Sequence, residues 1–366
     1  MRRGCRNFSK PWASRKKVPC AKRCSYTTRT TMCISMGCPP TGCNRRHAVK
    51  HRGIHRAMKN LLNLRGIVTV LNTPFLDDDT LDIEGVRRNV RYAIDAGVAG
   101  FLVPAMASEV AKLNERERVD LVAAVVGETN GSVPVIGGAS APSQPERVAA
   151  ARALIDLGCA GILASIPFDN EDAYRGDVHE LAKLAPGFLM LQDWDFTGAG
   201  LPLPLIVRLF DEVEAFRCLK IETANAGAKY TQVLEATGGR LHVSGGWAVT
   251  QMIEGLDRGV HAFMPTGMHR AYARIFSWYA TGERDRAADL FHRICPVLAF
   301  SNQHLDISIQ FFKRLLHAQG IYATARCRAP IAPLDAHQER RAAELVELAA
   351  NIEQELEVIS PSMAPR

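Results

Sequence analysis

The stretch Cys218-Leu219-Lys220-Ile221-Glu222-Thr223, CLKIET, has the apolar run of a buried β-strand with a lysine and a glutamate set two residues apart inside it. Successive side chains of a strand point to opposite faces, so Cys218, Lys220 and Glu222 share one face while Leu219 and Ile221 share the other. Seven further apolar runs of similar length place this strand in a larger pattern: GIVTVLN (66–72), GFLVP (100–104), VPVIGGA (133–139), GILASIP (161–167), FLMLQD (188–193), LHVSGG (241–246) and HAFMP (261–265). Between them lie helical signals. Val86, Val90 and Ile94 form one stripe after Asp82, ending at Gly97, and the pairs Asn114/Glu117 and Ser143/Glu146 read as capping boxes.

Strand–helix alternation implies parallel strands, and eight such units favour a closed α/β architecture, the (β/α)8 TIM barrel, over a doubly wound sheet. No G-x-G-x-x-G follows the first strand, which weakens a dinucleotide-binding reading. The barrel is expected over 58–281, and helical patterns at about 282–298, 302–319 and 336–357 form a C-terminal helical appendage over 282–366.

Charge divides the chain differently. Residues 1–57 hold 15 Lys and Arg and no Asp or Glu, leaving 30 basic against 38 acidic residues in the body, so the formal charge of +7 belongs to the extension. The acidic body argues against a nucleic-acid partner. No stretch approaches the ~20 uninterrupted apolar residues that a membrane span requires.

The extension lacks apolar periodicity and reads as disordered. Three origins compete: a transit segment, zinc ligands at Cys20/Cys24, Cys38/Cys43 and His47/His51/His55, or an upstream stretch preceding a true start at Met58. Cys159, Cys218, Cys295 and Cys327 are isolated in the body, which suits a reducing compartment. The expected location is cytoplasmic, or mitochondrial if the extension is a genuine transit segment.

In a barrel the outer face of a strand packs on helices and takes Leu219 and Ile221, so Lys220 and Glu222 face the interior near the C-terminal end of the sixth strand, where barrel active sites sit. Burial disfavours the charged form of a lysine, and a neutral amine can attack a ketone. The competing reading is a lysine that reaches solvent or pairs with Glu222. Glu222 itself either rests in an ion pair that substrate breaks or is kept protonated by burial. His242 and His261 begin their strands, opposite the expected site, and no strand ends in a ligand cluster, so no metal is expected.

The eight strands, the lysine at the end of the sixth and the C-terminal helices resemble the dihydrodipicolinate synthase / N-acetylneuraminate lyase superfamily of Schiff-base enzymes over roughly residues 62–350. TPF (73–75), SEVAKLNERER (108–118), VPVIGG (133–138) and VSGGWAV (243–249) fall where that family has its marks. Two departures argue against synthase activity. The usual Thr-Thr-Gly-Glu turn is here AMASE (105–109), and the usual Tyr-Asn of the fifth strand is Gln192-Asp193; the synthases' neighbour-subunit tyrosine is also absent, with Asp169 near its place. Those departures, with KIET and FMPTG (263–267), resemble a narrower branch, the L-2-keto-3-deoxyarabonate dehydratases.

By that resemblance Lys220 would condense with the C2 ketone of a 2-keto-3-deoxy sugar acid, loss of the C3 proton would give an enamine, and the C4 hydroxyl would leave. The turn Ala107-Ser108 is expected to anchor the carboxylate, Gln192 to orient, Glu222 and Asp193 to carry protons, and Thr223 and Thr266 to bind hydroxyls. Gly246-Trp247 would supply a substrate wall. Blander roles stand beside these: Glu109 capping a helix, Asp193 pairing with an arginine, Thr266 satisfying a loop amide, Trp247 packing. The rival functions are a class I aldolase releasing pyruvate through the same enamine and a barrel that binds a keto acid without turnover. No cofactor is expected, and the family implies a homotetramer.

Overall fold

The computed structural model describes residues 64–184 and 186–358; the basic extension, with its Cys and His spacings and Met58, lies outside the described residues. Eight strands, β1 (Gly66–Val70), β2 (Gly100–Val103), β3 (Val135–Gly138), β4 (Gly161–Ala164), β5 (Leu189–Asp195), β6 (Phe216–Thr223), β7 (His242–Gly245) and β8 (Ala262–Phe263), close in chain order into a parallel barrel. The expected TIM barrel is therefore present. Helices α1 (Ile83–Asp95), α2 (Glu115–Thr129), α3 (Gln144–Asp156), α4 (Glu171–Ala182), α5 (Leu203–Glu212), α6 (Ala226–Ala236), α7 (Met252–Asp257) and α8 (His269–Ala280) follow the strands in turn.

Strand alternation sorts the apolar residues into two layers. Val68, Val70, Leu102, Ile136, Leu163, Met190, Cys218 and Met264 fill the barrel interior. Leu219, Ile221, Val243 and Phe263 point outward onto helix residues such as Val90, Leu121, Leu205 and Val233. Helix starts follow the sequence signals. Asp82 accepts the Gly85 N–H at 2.7 Å, and both capping boxes, Asn114/Glu117 and Ser143/Glu146, form.

The C-terminal helices are α9 (Arg284–Ser301), α10 (Leu305–Ala318) and α11 (Ala336–Val358). Helix α11 docks through a buried carboxylate: Glu353 accepts the backbone N–H groups of Arg270 (3.2 Å) and Ala271 (2.8 Å) and the Tyr92 hydroxyl (2.5 Å). Those amides belong to the first turn of α8 and have no partner inside their own helix, so a glutamate from another helix caps them. Among the described residues no helix is long and apolar enough to cross a membrane.

Backbone strain gathers at one end of the barrel. Glu109 after β2, Asn225 after β6, Trp247 and Val249 after β7, and Met268 after β8 all have φ between 44° and 55°. Side chains other than glycine pay for that conformation, and for β-branched Val249 it is a true outlier. All five sit in loops at the C-terminal face, the end at which barrel enzymes carry their chemistry.

Candidate active site

At that face a cavity of about 110 Å³ opens into the barrel, lined among others by Val70, Ala107, Gln192, Lys220, Glu222, Trp247 and Thr266. Lys220 and Glu222 point inward, as their place on β6 dictates, and are 6% and 7% exposed. The Lys220 Nζ lies 3.0 Å from Glu222 Oε2. Two further donors hold the glutamate: Gln192 Nε2 reaches Oε2 at 2.5 Å, and the Trp247 backbone N–H reaches Oε1 at 2.7 Å. Gln192 stands directly opposite Lys220 in the β5–β6 register. Three donors on one carboxyl group fix its position beside the amine.

Gly246 makes the approach possible. A Cβ there would stand 2.2 Å from Glu222 Oε1, so the glutamate lies across the bare backbone of this glycine. Trp247 borders the cavity, and its ring meets Phe196 at 4.9 Å, which in turn meets Trp194 at 5.3 Å. The three rings form an aromatic wall over β5 and β7.

Two expected proton carriers or ligands face the other way. On β5, Met190, Gln192 and Trp194 alternate inward, which turns Asp193 out of the cavity. Its carboxylate pairs with Lys229 and accepts the Leu201 N–H at 2.8 Å. Burial pushes this carboxyl up, against the opposing effects of Lys229 and Leu201. Lys229 also bonds the carbonyls of Ala199 and Leu201. Asp193 thus holds the β5–α5 loop that carries Phe196, and the structure does not bring it to Lys220. Thr223 is likewise one residue out of phase with Glu222 and sits beside Gly200 on the outer face.

The anchor turn is also built differently from expectation. Residues Met106–Ser108 form a single 3-10 turn after β2. Ser108 is fully buried; its hydroxyl donates to Leu71 O at 2.5 Å and accepts the Ala105 N–H at 3.0 Å, and its own N–H bonds Ala105 O at 2.9 Å. Ala107 lines the cavity, but Ser108 spends its polar groups on shaping the turn. Glu109 ends it in the left-handed conformation, and its side chain caps nothing. It pairs instead with Lys313 of α10 and with Lys112 at 2.9 Å, and accepts the Arg328 N–H at 3.2 Å.

A buried relay supports the turn from below. The Ala107 carbonyl accepts from Asn72 Nδ2 at 2.7 Å, and the Asn72 carbonyl accepts from the Tyr322 hydroxyl at 2.9 Å. Tyr322 accepts from Asn89 Nδ2 at 2.8 Å, while Asn89 Oδ1 faces His269 Nε2 at 2.9 Å. The asparagine's orientation puts the imidazole proton on Nε2 and leaves Nδ1 to accept from Thr69. Burial pushes His269 down to about 3, so the ring is neutral.

The cavity has walls that strand reasoning did not reach. Trp194 follows from the inward alternation of Gln192. Tyr272 of α8, Asn302 after α9, and Leu305, Ser308 and Phe312 on one stripe of α10 also line it. The appended helices therefore complete the site.

The dihydrodipicolinate synthetase family model matches residues 63–349. The chain is 28% identical over 301 residues to the L-2-keto-3-deoxyarabonate dehydratase of Azospirillum brasilense, covering 79% of this chain and 94% of that one. It is 27% identical over 291 residues to the 4-hydroxy-tetrahydrodipicolinate synthase of Methanosarcina mazei, covering 77% and 98%. The crystal structure of dihydrodipicolinate synthase from Rhodopseudomonas palustris superposes with a TM-score of 0.72 at 21% identity, over 78% of this chain and 98% of that one, and so shares the fold. Because the family match runs through the barrel and into its C-terminal helices, the chain belongs to the dihydrodipicolinate synthetase family.

Proposed function

We propose that the chain is a Schiff-base-forming hydro-lyase that dehydrates a 2-keto-3-deoxy sugar acid. The observation that carries this reading is the amine of Lys220 inside the barrel, 3.0 Å from a carboxylate that three donors hold in place. The dehydratase relative and the KIET, Gln-Asp and Ser-Glu motifs point to the same reaction.

Lys220 adds to the C2 ketone and the carbinolamine loses water, leaving a cationic imine that acidifies the C3 proton. Glu222 is the one carboxylate among the described residues lining the cavity, so it takes that proton. The resulting enamine pushes out the C4 hydroxyl, which leaves as water when Glu222 returns the proton to it. Water then hydrolyses the unsaturated imine, freeing Lys220 and a product that tautomerises to the semialdehyde. The two proton steps thus pass through a single carboxylate, with Gln192 and the Trp247 amide keeping it aligned. Thr266 and the Trp247 wall contact the rest of the sugar acid. The homotetramer implied by the resemblance accompanies this reading, and light scattering of the purified chain would measure it.

Incubation with a 2-keto-3-deoxypentonate tests the reaction. Dehydration gives a semialdehyde with no free pyruvate; release of pyruvate would replace this reading with an aldolase, and recovery of unchanged substrate would leave a keto-acid-binding barrel.

A further inference from the structure

The α9–α10 corner and helix α8 bring polar groups with no protein partner to the cavity. Asn302 Nδ2 and the Tyr272 hydroxyl are buried and unbonded, and both residues line the site. Tyr272 is fully buried, and burial pushes its phenol up, so it remains a neutral hydroxyl. Leaving a buried donor unpaired costs about 1–3 kcal/mol, a cost that a bound acceptor removes.

Their position says which acceptor. Helix α10 packs against the 3-10 turn Met106–Ser108. Lys313, the residue after cavity-lining Phe312, is paired with Glu109 at the end of that turn. Leu305, Ser308 and Phe312, which line the cavity, thus belong to the helix that packs against the Ala107 turn. Within the turn, the hydroxyl and N–H of Ser108 are both used internally. A carboxylate has two oxygens and room for about four hydrogen bonds.

We propose that Asn302 and Ser308, with Tyr272 beside them, form the second half of the carboxylate pocket, so that the C-terminal helices select for 2-keto acids over neutral ketones. This inference rests on the imine reading and adds a binding role for residues outside the barrel. Asn302 donates through Nδ2 and Ser308 through its hydroxyl, while Ala107 closes the opposite side.

Borohydride trapping on Lys220, read by intact-mass and peptide mass spectrometry, separates the two ideas when pyruvate and hydroxyacetone are compared. Wild-type protein should trap pyruvate much faster. Asn302→Asp, which sets a carboxylate against the substrate's own, should slow pyruvate trapping at least tenfold and leave hydroxyacetone trapping within about twofold. Ser308→Ala should slow pyruvate trapping several-fold with the same selectivity. Pyruvate trapping at the wild-type rate in both variants, or an equal loss for both ketones, would overturn the proposal while leaving the imine intact. Wild-type protein that traps neither ketone would overturn the imine reading itself.

Discussion

Gly246→Ala perturbs the proposed chemistry through one methyl group. The residue has φ −113° and ψ −161°, ordinary extended backbone, so alanine meets no torsional penalty there. The penalty is spatial. Its Cβ would lie 2.2 Å from Glu222 Oε1, 2.4 Å from Cδ and 2.5 Å from Cγ, and the carboxylate must retreat by about 1.2 Å to reach an ordinary contact of 3.4 Å. That retreat strains the 2.7 Å bond from the Trp247 N–H and the 3.0 Å contact with Lys220 together. Displacement of a catalytic group by ~1 Å costs on the order of 100-fold in rate, and overpacking costs roughly 1–3 kcal/mol of stability. Dehydration kinetics of the purified variant should show kcat reduced about 100-fold with KM little changed. Circular dichroism should report the fold retained, and pyruvate should still be trapped on Lys220. A kcat within about twofold of wild type would refute the claim that Glu222 must occupy this position.

Further perturbations probe other parts of the account. Glu222→Gln should retain imine formation but lose most turnover, since an amide accepts no proton; wild-type turnover would remove Glu222 from the mechanism. Lys313→Met should destabilise the chain by about 3 kcal/mol in urea unfolding, because it leaves the fully buried Glu109 carboxylate with only Lys112 and the Arg328 amide. A loss below about 1 kcal/mol would show the pair to be dispensable. His269, held near 3 in the folded chain, stays neutral while the unfolded chain takes up a proton below about pH 6.5. Stability should therefore fall between pH 6.5 and about 3, by at most ~1.4 kcal/mol per pH unit from this group. His269→Gln should flatten that slope in urea titrations, and an unchanged slope would contradict the assignment.

The barrel was legible because its evidence is repeated. Eight apolar runs at regular spacing, with caps between them, survive a misreading of any one run. The alternation that sent Lys220 and Glu222 inward was also decisive, and the same rule carries further than the motif reading took it. Counted from Gln192 and Glu222, Asp193 and Thr223 fall on the outer face, where Lys229 and Gly200 receive them. Motif matching places a residue in a neighbourhood; strand parity decides which side it serves.

Other features had no local signal. Nothing in AMASE announces that the Ser108 hydroxyl will be consumed by Leu71, thirty-seven residues away in the chain. The apolar periodicity of α10 marks a face to be covered, yet which part of it meets the cavity depends on how the helix docks. That docking includes a buried pair, Lys313 with Glu109, separated by more than two hundred residues. The relay from His269 through Asn89, Tyr322 and Asn72 to Ala107 likewise joins five separate segments that only the closed barrel brings together.

The most direct measurement is the mass of the chain after incubation with pyruvate and borohydride, followed by peptide mapping. A single reduced pyruvate adduct on Lys220, absent from Lys220→Arg with its fold intact, is the predicted result. An unmodified Lys220, or an adduct carried by another lysine such as Lys229, would contradict the account at its centre.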